Sequence, residues 1–395
     1  MLEALTAQAL ELMTRFGERT GETAQRAPLR YLWTDAFAVC NLLGLERATG
    51  DGRHRESALR LVDHVHHTLG RHRSDDVRTG WLSGLSEQEG EAHPTRGGLR
   101  IGKSLPERPP DERAEDRLEW DRDGQYFHYL TKWMHALDQV TRSTRQPIFN
   151  AWARELADVA HRAFTYAPPS GVGKRMHWKM SIDLSRPLVA SMGHHDPLDG
   201  FVTYAQLDAT ARGMGAAASG PDLKYATADF AAMMEPGALA TADPLGLGGL
   251  LVDAFRVEQL IEEGAVAKGD PLLGALLDAA LVGLHQYLQE PDLRSPAHRR
   301  LAFRELGLAI GLAAVGFMDR NARQAPEWFA DDPNLGGRLA SLMRYAPVRR
   351  EIEAFWIQPE HRRSDTWLEH EDINDVMLAT SLAPEGFLLI QPIAG

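Results

Sequence analysis

The sequence predicts an all-α fold, an (α/α)6 toroid in which inner helices alternate with outer helices around a central funnel. Two kinds of apolar pattern, and their alternation along the chain, lead to it. Segments Leu29–Leu45, Leu245–Ile261 and Leu301–Met318 are apolar almost all the way round, the pattern of helices buried on every side. Between them, Glu56–Leu69, Asn150–Phe164 and Leu272–Leu288 carry apolar residues at steps of three and four, with Ala58, Leu61, Val62, Val65 and Leu69 in the first. Such helices keep one wet face. An inner ring wrapped by an outer ring uses both patterns, whereas a simple bundle has no use for so many two-sided apolar helices.

In order along the chain, Leu2–Phe16 reads as an opening helix, and the first inner helix starts near Pro28, a residue suited to a first helical turn. Outer helix Glu56–Leu69 follows. The polar, Gly- and Pro-rich segment Gly70–Glu119 reads as a long loop or lid, because a connection of that length within one domain is usually functional or without fixed structure. Trp120–Val140 reads as an aromatic helix, followed by the helix Asn150–Phe164 and a loop over Ala167–Asp183. Ser185 and Pro187 predict a capped helix over Pro187–Met192, and Asp196-Pro197 opens the next in the same way. Ala209–Ser219 is less regular. Asp243-Pro244 and Asp270-Pro271 open a buried helix and its amphipathic partner, and Ser295-Pro296 precedes the fifth buried helix. A further pair spans Leu335–Trp356, and the last helix runs from Glu371 to Ser381. The count is six hairpins in a single domain over residues 1–395, with no close sequence repeat.

Composition narrows the partners. Of 395 residues, 44% are hydrophobic and 25% charged, as in globular proteins. The formal net charge of −12 works against nucleic acid or an anionic membrane as partner. The single cysteine, Cys40, lies in an apolar helix, so it reads as packing and fits a reducing compartment. The first residues read as a helix and not as a signal peptide, and no apolar run reaches the ~20 residues of a membrane span. A cytoplasmic location is the expectation.

In a double ring all inner helices run the same way, so residues at their N-terminal ends converge on one face of the funnel. Those ends supply Trp33 and Asp35; Tyr126, His128 and Lys132; Asp183 and Arg186; Asp243; Arg304 and Glu305; and Asp372, Asn374 and Asp375. Charge in an apolar setting must be paired or face a wet cavity. Capping accounts for Asp183, Asp243, Asp372 and Asp375 equally well. Asp35 and the Arg304-Glu305 pair lie deeper inside apolar runs, where capping explains less. Two carboxylates across a sugar-sized cleft perform glycosidic hydrolysis, with Trp33, Tyr126 and Trp178 as apolar faces for sugar rings. Alternatively, His128 or His177 moves a proton beside a carbonyl, giving epimerisation or isomerisation.

Three other patterns carry less chemistry than they first suggest. His194-His195-Asp196 resembles a metal set, but Asp196-Pro197 is a natural helix start, and the segment Gly193–Gly200 reads as joining an inner helix to its outer partner, away from the funnel. Asp63–His67 reads as a solvated helix face. Gly97–Ser104 fits G-x-x-x-x-G-K-[ST], yet the phosphate loop needs a strand before it and a helix after it, and neither pattern is present. On the funnel side, that loop's Arg96, Arg100 and Lys103 reach a ligand carboxylate or phosphate from a lid.

The helix pairs, with Tyr31-Leu32-Trp33-Thr34-Asp35 and Gln125-Tyr126-Phe127-His128-Tyr129 opening two buried helices, resemble the six-hairpin glycosidase-like superfamily over about Pro28–Ser381. The resemblance is architectural and implies glycosidases, uronyl hydrolases or sugar epimerases; no family's catalytic residues align. The expectation is therefore a carbohydrate-active hydrolase of a small or acidic glycoside that uses no metal or cofactor. Asp35 and Glu305 are its acid/base candidates, with Arg304 or Lys103 orienting the ligand. A sugar epimerase or isomerase using His128 or His177, and a noncatalytic helical scaffold or sugar-binding module, are the alternatives.

Overall fold

The computed structural model describes residues 2–393 except 22–28, 114, 170, 172, 190, 192, 216–217, 290–291, 326–331 and 333. Pro28 and Met192, the predicted bounds of two helices, lie outside the described residues. In chain order the helices are α1 (Leu2–Thr20), α2 (Leu32–Thr49), α3 (Arg53–Leu69), α4 (Glu87–Ala92), α5 (Asp116–Glu119), α6 (Phe127–Thr144), α7 (Pro147–Phe164), α8 (Asp196–Met214) and α9 (Lys224–Met233). They continue as α10 (Pro244–Glu262), α11 (Leu272–Tyr287), α12 (Ala302–Gln324), α13 (Leu335–Met343), α14 (Ala346–Ile357), α15 (Asp365–Leu368), α16 (Glu371–Leu382) and α17 (Glu385–Leu388). Among the described residues five short strands, β1 (Gln125–Tyr126), β2 (Thr165–Tyr166), β3 (Arg175–Met176), β4 (Lys179–Met180) and β5 (Pro187–Val189), pair antiparallel in the orders β1-β4-β5 and β2-β3. No helix among the described residues is long and apolar enough to cross a membrane.

The chain divides into two compact units. One comprises Met1–Arg19, Gly44–Gly50 and Glu235–Ile390; the other comprises Thr20–Leu43, Asp51–Met234 and Gln391–Gly395.

In the first unit α10 and α12 form the core, and each carries an unbroken run of buried residues, Leu250–Leu260 and Glu305–Val315. Their backbones touch. A Cβ on Gly248 would lie 2.1 Å from the Gly307 carbonyl oxygen, and one on Gly311 would lie 2.7 Å from the Gly248 oxygen. Glycine lets two helices approach this closely because nothing stands between the main chains. Asp243 caps α10 as its sequence suggests, its carboxylate accepting from the Gly246 amide at 3.0 Å.

In the second unit α2, α6 and α8 are two-sided, with Leu32–Leu43 of α2 buried throughout. Trp133–Arg142 of α6 is buried without interruption, as is Val202–Leu207 of α8. By contrast, α3 buries Ala58, Leu61, Val62, Val65, His66 and Leu69, the three-and-four spacing of a one-sided helix. Cys40 is fully buried in α2. His66 departs from the solvated reading of Asp63–His67. It is buried, it accepts a hydrogen bond from Trp133 Nε1 at 3.2 Å, and burial pushes its ring down to about 3.

Two expected helices are redrawn. The aromatic helix begins at Phe127, because Gly124 (φ 150°) breaks the backbone and Gln125–Tyr126 pairs as strand β1. Pro187–Val189 is strand β5, not a helix. Ser185 bonds back to Asp183 at 2.7 Å within the turn of the β4–β5 hairpin, so it caps nothing. The buried helix that sequence placed at 187 is therefore α8, starting at Asp196, and the Gly193–Gly200 segment forms the N-terminal end of a core helix.

The segment Gly70–Glu119 is largely irregular, but buried ion pairs tie it down. Arg100 and Arg73 both reach the fully buried Asp123, at 2.6 and 3.3 Å. The amides of the Gly97–Ser104 loop are committed in the same way. Leu99 N–H donates to Gln125 Oε1 at 2.9 Å, and Gly102 N–H donates to Asp123 Oδ1 at 3.0 Å. A carboxylate of the chain itself occupies the role a phosphate has in nucleotide loops.

Candidate functional site

The β1-β4-β5 sheet fixes how α6 begins, and with it a set of aromatic rings in the second unit. Tyr126 stands opposite Lys179 in the β1–β4 register, which sets Trp178 against the start of α6. The Trp178 ring lies 5.8 Å from Tyr126 and 6.2 Å from His128, and Trp120, half exposed, meets it edge-on at 4.9 Å. Tyr129 carries the series onward to Tyr31 at 5.5 Å and to Trp33 at 6.4 Å. The hydroxyls of Tyr31 and Tyr129 share a hydrogen bond of 2.6 Å, and Lys103 Nζ sits 5.3 Å above the Tyr31 ring. Tyr31, His128, Tyr129 and Trp178 are only partly buried. The result is a wall of amphipathic rings with an ammonium at one end.

Charge gathers at the neighbouring helix ends. Lys132, one turn into α6, pairs with Asp199 of α8 at 2.8 Å, and Thr131 Oγ1 donates to the same carboxylate at 2.5 Å. Asp196, three residues earlier on α8, accepts from the Gly193 amide at 3.1 Å. Burial, reinforced by the neighbouring Asp199, pushes it up to about 7. The two carboxyl groups thus sit in different surroundings, Asp196 desolvated and Asp199 held by a lysine and a threonine.

His128 has a defined role in the wall. Burial pushes it down to about 4, so the ring is neutral. Trp178 Nε1–H donates to His128 Nδ1 at 3.3 Å, which leaves the ring proton on Nε2. The imidazole is a hydrogen-bond donor toward anything at its free edge. Behind the wall, Lys179 is wholly buried, donating to the Glu119 and Arg122 carbonyls at 2.6 and 2.8 Å and to Glu119 Oε1 at 3.1 Å. Burial lowers its ammonium below the usual range.

The structure gathers Tyr126, His128, Lys132, Trp178, Trp33 and Lys103, of the residues singled out from sequence, in this region of one unit. Others it places elsewhere. Asp35 is buried and accepts from Arg30 at 3.3 Å and from the Tyr31 amide at 3.0 Å, so it fixes the start of α2 and the backbone of Tyr31. Glu305, in the other unit, accepts from Arg300 at 2.8 and 2.6 Å and from Trp356 Nε1 at 2.7 Å. Arg304 pairs with Asp243 at 2.7 Å, and Asp375 pairs with Arg19 at 2.8 Å and Arg15 at 3.6 Å. Arg96 joins His93 on Glu155, Arg186 donates to the Arg108 carbonyl, and His177 stacks on Tyr166 at 4.3 Å.

Sequence reasoning passed over Tyr31, Tyr129, Trp120, Lys179, Asp196 and Asp199. The two tyrosines were visible in the aromatic starts of two buried helices. Asp196 and Asp199 were hidden because misreading Pro187–Val189 as a helix put them at the wrong end.

This is an all-α protein with an (α/α)6 toroid fold. The likeness is to a GH76 α-mannanase of Bacteroides thetaiotaomicron, with a TM-score of 0.54 and 8% identity over 98% of this chain and 96% of that one. At that identity the likeness shows the fold alone. No protein-family model and no curated protein matches the chain.

Proposed function

We propose that the protein is a carbohydrate-active enzyme, a hydrolase of a small or acidic glycoside whose sugar lies on the wall formed by Tyr31, Tyr129, His128, Trp178 and Trp120. The observation that carries the reading is this wall of partly exposed rings, with the Lys132–Asp199 pair one turn of α6 beyond His128. Amphipathic rings match the C–H faces of a sugar, and their polar edges match its hydroxyls. Lys103, above Tyr31, meets an acidic substituent. Hydrolysis needs one carboxyl that gives a proton and one that activates water or attacks carbon. In this reading Asp196 is the acid and Asp199, held against Lys132, is the base or nucleophile. Asp35 becomes a positioning residue that sets Tyr31, and Glu305 a support for Trp356. A fold of the glycosidase kind supports the reading.

The test is turnover of a panel of aryl glycosides and aryl uronides by the wild type, Asp199→Asn, Asp196→Asn and Lys103→Met. Both carboxamide variants should lose about 10²–10⁴-fold in kcat and still bind the sugar. Lys103→Met should raise KM for uronides and leave neutral glycosides unchanged. Full activity in Asp196→Asn or Asp199→Asn rejects the acid/base assignment, and saturable sugar binding without turnover makes the protein a binding module. Isomerisation through His128 is the weaker reading, since its Nδ1 already accepts from Trp178.

A further inference from the structure

In the first unit a small, solvent-open recess with a cavity volume of about 50 Å³ lies at the C-terminal end of α10. Its lining includes Glu258, Ile261 and Glu262 of α10, Asp270 and Leu273 at the start of α11, and Asp332 just before α13. Lys268 also borders it and is exposed. Glu258 is the unusual member, because it is 4% exposed and only half satisfied. Its Oε1 accepts from Asn321 Nδ2 at 3.3 Å, while Oε2 finds no hydrogen-bond partner among the described residues. Buried carboxylate oxygens are rarely left this way. Neighbouring acids are occupied: Asp332 pairs with Arg338 at 2.9 Å, and Asp270 accepts from the Leu272 amide at 2.9 Å.

We propose that this recess binds a small organic ammonium ion, a primary amine on a short aliphatic stem, with Glu258 as its counter-ion. With Asp332 set against Arg338, Glu262 and Asp270 still outnumber the bordering Lys268, which works against an anion. Among the described residues no group of three or more His, Cys, Asp or Glu is arranged to hold a metal ion, so the acids do not converge on a point as coordination requires. Ile261 and Leu273 offer the apolar contact that an alkyl stem takes and a hydrated metal does not.

The site carries a built-in signature. Burial, with the nearby Glu262, holds Glu258 up at about 8, so at pH 7 the empty site keeps a proton on this carboxyl. When the amine arrives as R–NH3⁺, the carboxyl gives that proton to the buffer and pairs as the carboxylate; charge and atoms balance with one H⁺ released.

Isothermal titration of the full chain with n-butylammonium chloride at pH 7, in phosphate and again in MOPS, reads both events. Saturable binding is expected, with a heat that differs between the buffers by their ionisation enthalpies. Mg²⁺, Ca²⁺ and inorganic phosphate should give no saturable heat. Glu258→Gln should weaken binding at least about tenfold and abolish the buffer difference, with far-UV circular dichroism reporting its fold. Glu262→Gln, at an exposed position, should stay folded and weaken binding by about threefold. Absence of saturation up to about 10 mM, a heat independent of buffer, preference for a divalent cation, or unchanged affinity in both variants would each overturn the proposal.

Discussion

Asp35 and Glu305 show how a single carboxylate in an apolar helix is read from sequence and settled by its neighbours. Both arise one turn into a buried helix, where an uncompensated charge is untenable, and each meets an arginine five residues before it, Arg30 and Arg300. Those arginines precede the helices, so each pair closes a helix entry. Removing one partner leaves the other charge buried alone. Asp35→Asn and Glu305→Gln should each destabilise the protein by about 3 kcal/mol, measured by urea denaturation. A variant as stable as the wild type would show that the carboxylate is held for chemistry instead of for folding. Asp35→Asn should also loosen Tyr31, whose amide it accepts, and weaken sugar binding on the wall.

Among the elements, the seam between α10 and α12 gives the sharpest contrast. Gly248 and Gly249 are adjacent in sequence, yet a Cβ on Gly248 would strike the Gly307 carbonyl at 2.1 Å and one on Gly249 meets nothing within 4 Å. Gly248→Ala should therefore destabilise by about 1–3 kcal/mol, and Gly249→Ala should stabilise by about 1 kcal/mol, the helix-propensity gain alone. Thermal melts of the two variants moving in the same direction would refute the seam. Helices of this kind were legible because a continuous apolar run and a three-and-four spacing are local signals, written within each segment. The sheet that seats the site was not legible. Strands of two or three residues hold no periodicity, and the turn at Asp183–Ser185, with Leu184 at φ 59°, uses residues that equally well cap a helix. That single ambiguity shifted one helix and concealed Asp196 and Asp199, while Tyr126, His128 and Lys132 were readable because they open a helix the sequence does announce.

For the whole molecule, two buried carboxyls and two buried histidines pull stability in opposite directions with pH. Asp196 and Glu258 rise from 3.8 and 4.5 to about 7 and 8, so the stability they contribute is complete below those unfolded values and is lost as pH climbs through 7 and 8. His66 and His128 fall from 6.5 to about 3 and 4, so theirs is complete above 6.5 and is lost as pH drops through 4 and 3. Between about 4.5 and 6.5 the two trends offset each other. The melting temperature should crest in that window and decline on both sides, with Glu258→Gln flattening the alkaline decline; a curve still rising at pH 8 would contradict it.

The seam has a consequence for ancestry as well as for stability. What α10 and α12 require of each other at Gly248, Gly307 and Gly311 is the lack of a side chain, and a chain with 35 glycines offers no way to tell those three from the rest by their letters. A lineage that kept this crossing could replace nearly every other residue around it and leave an aligner nothing to hold. Kinship in such a fold would survive as a distance between two backbones long after it had faded from the text.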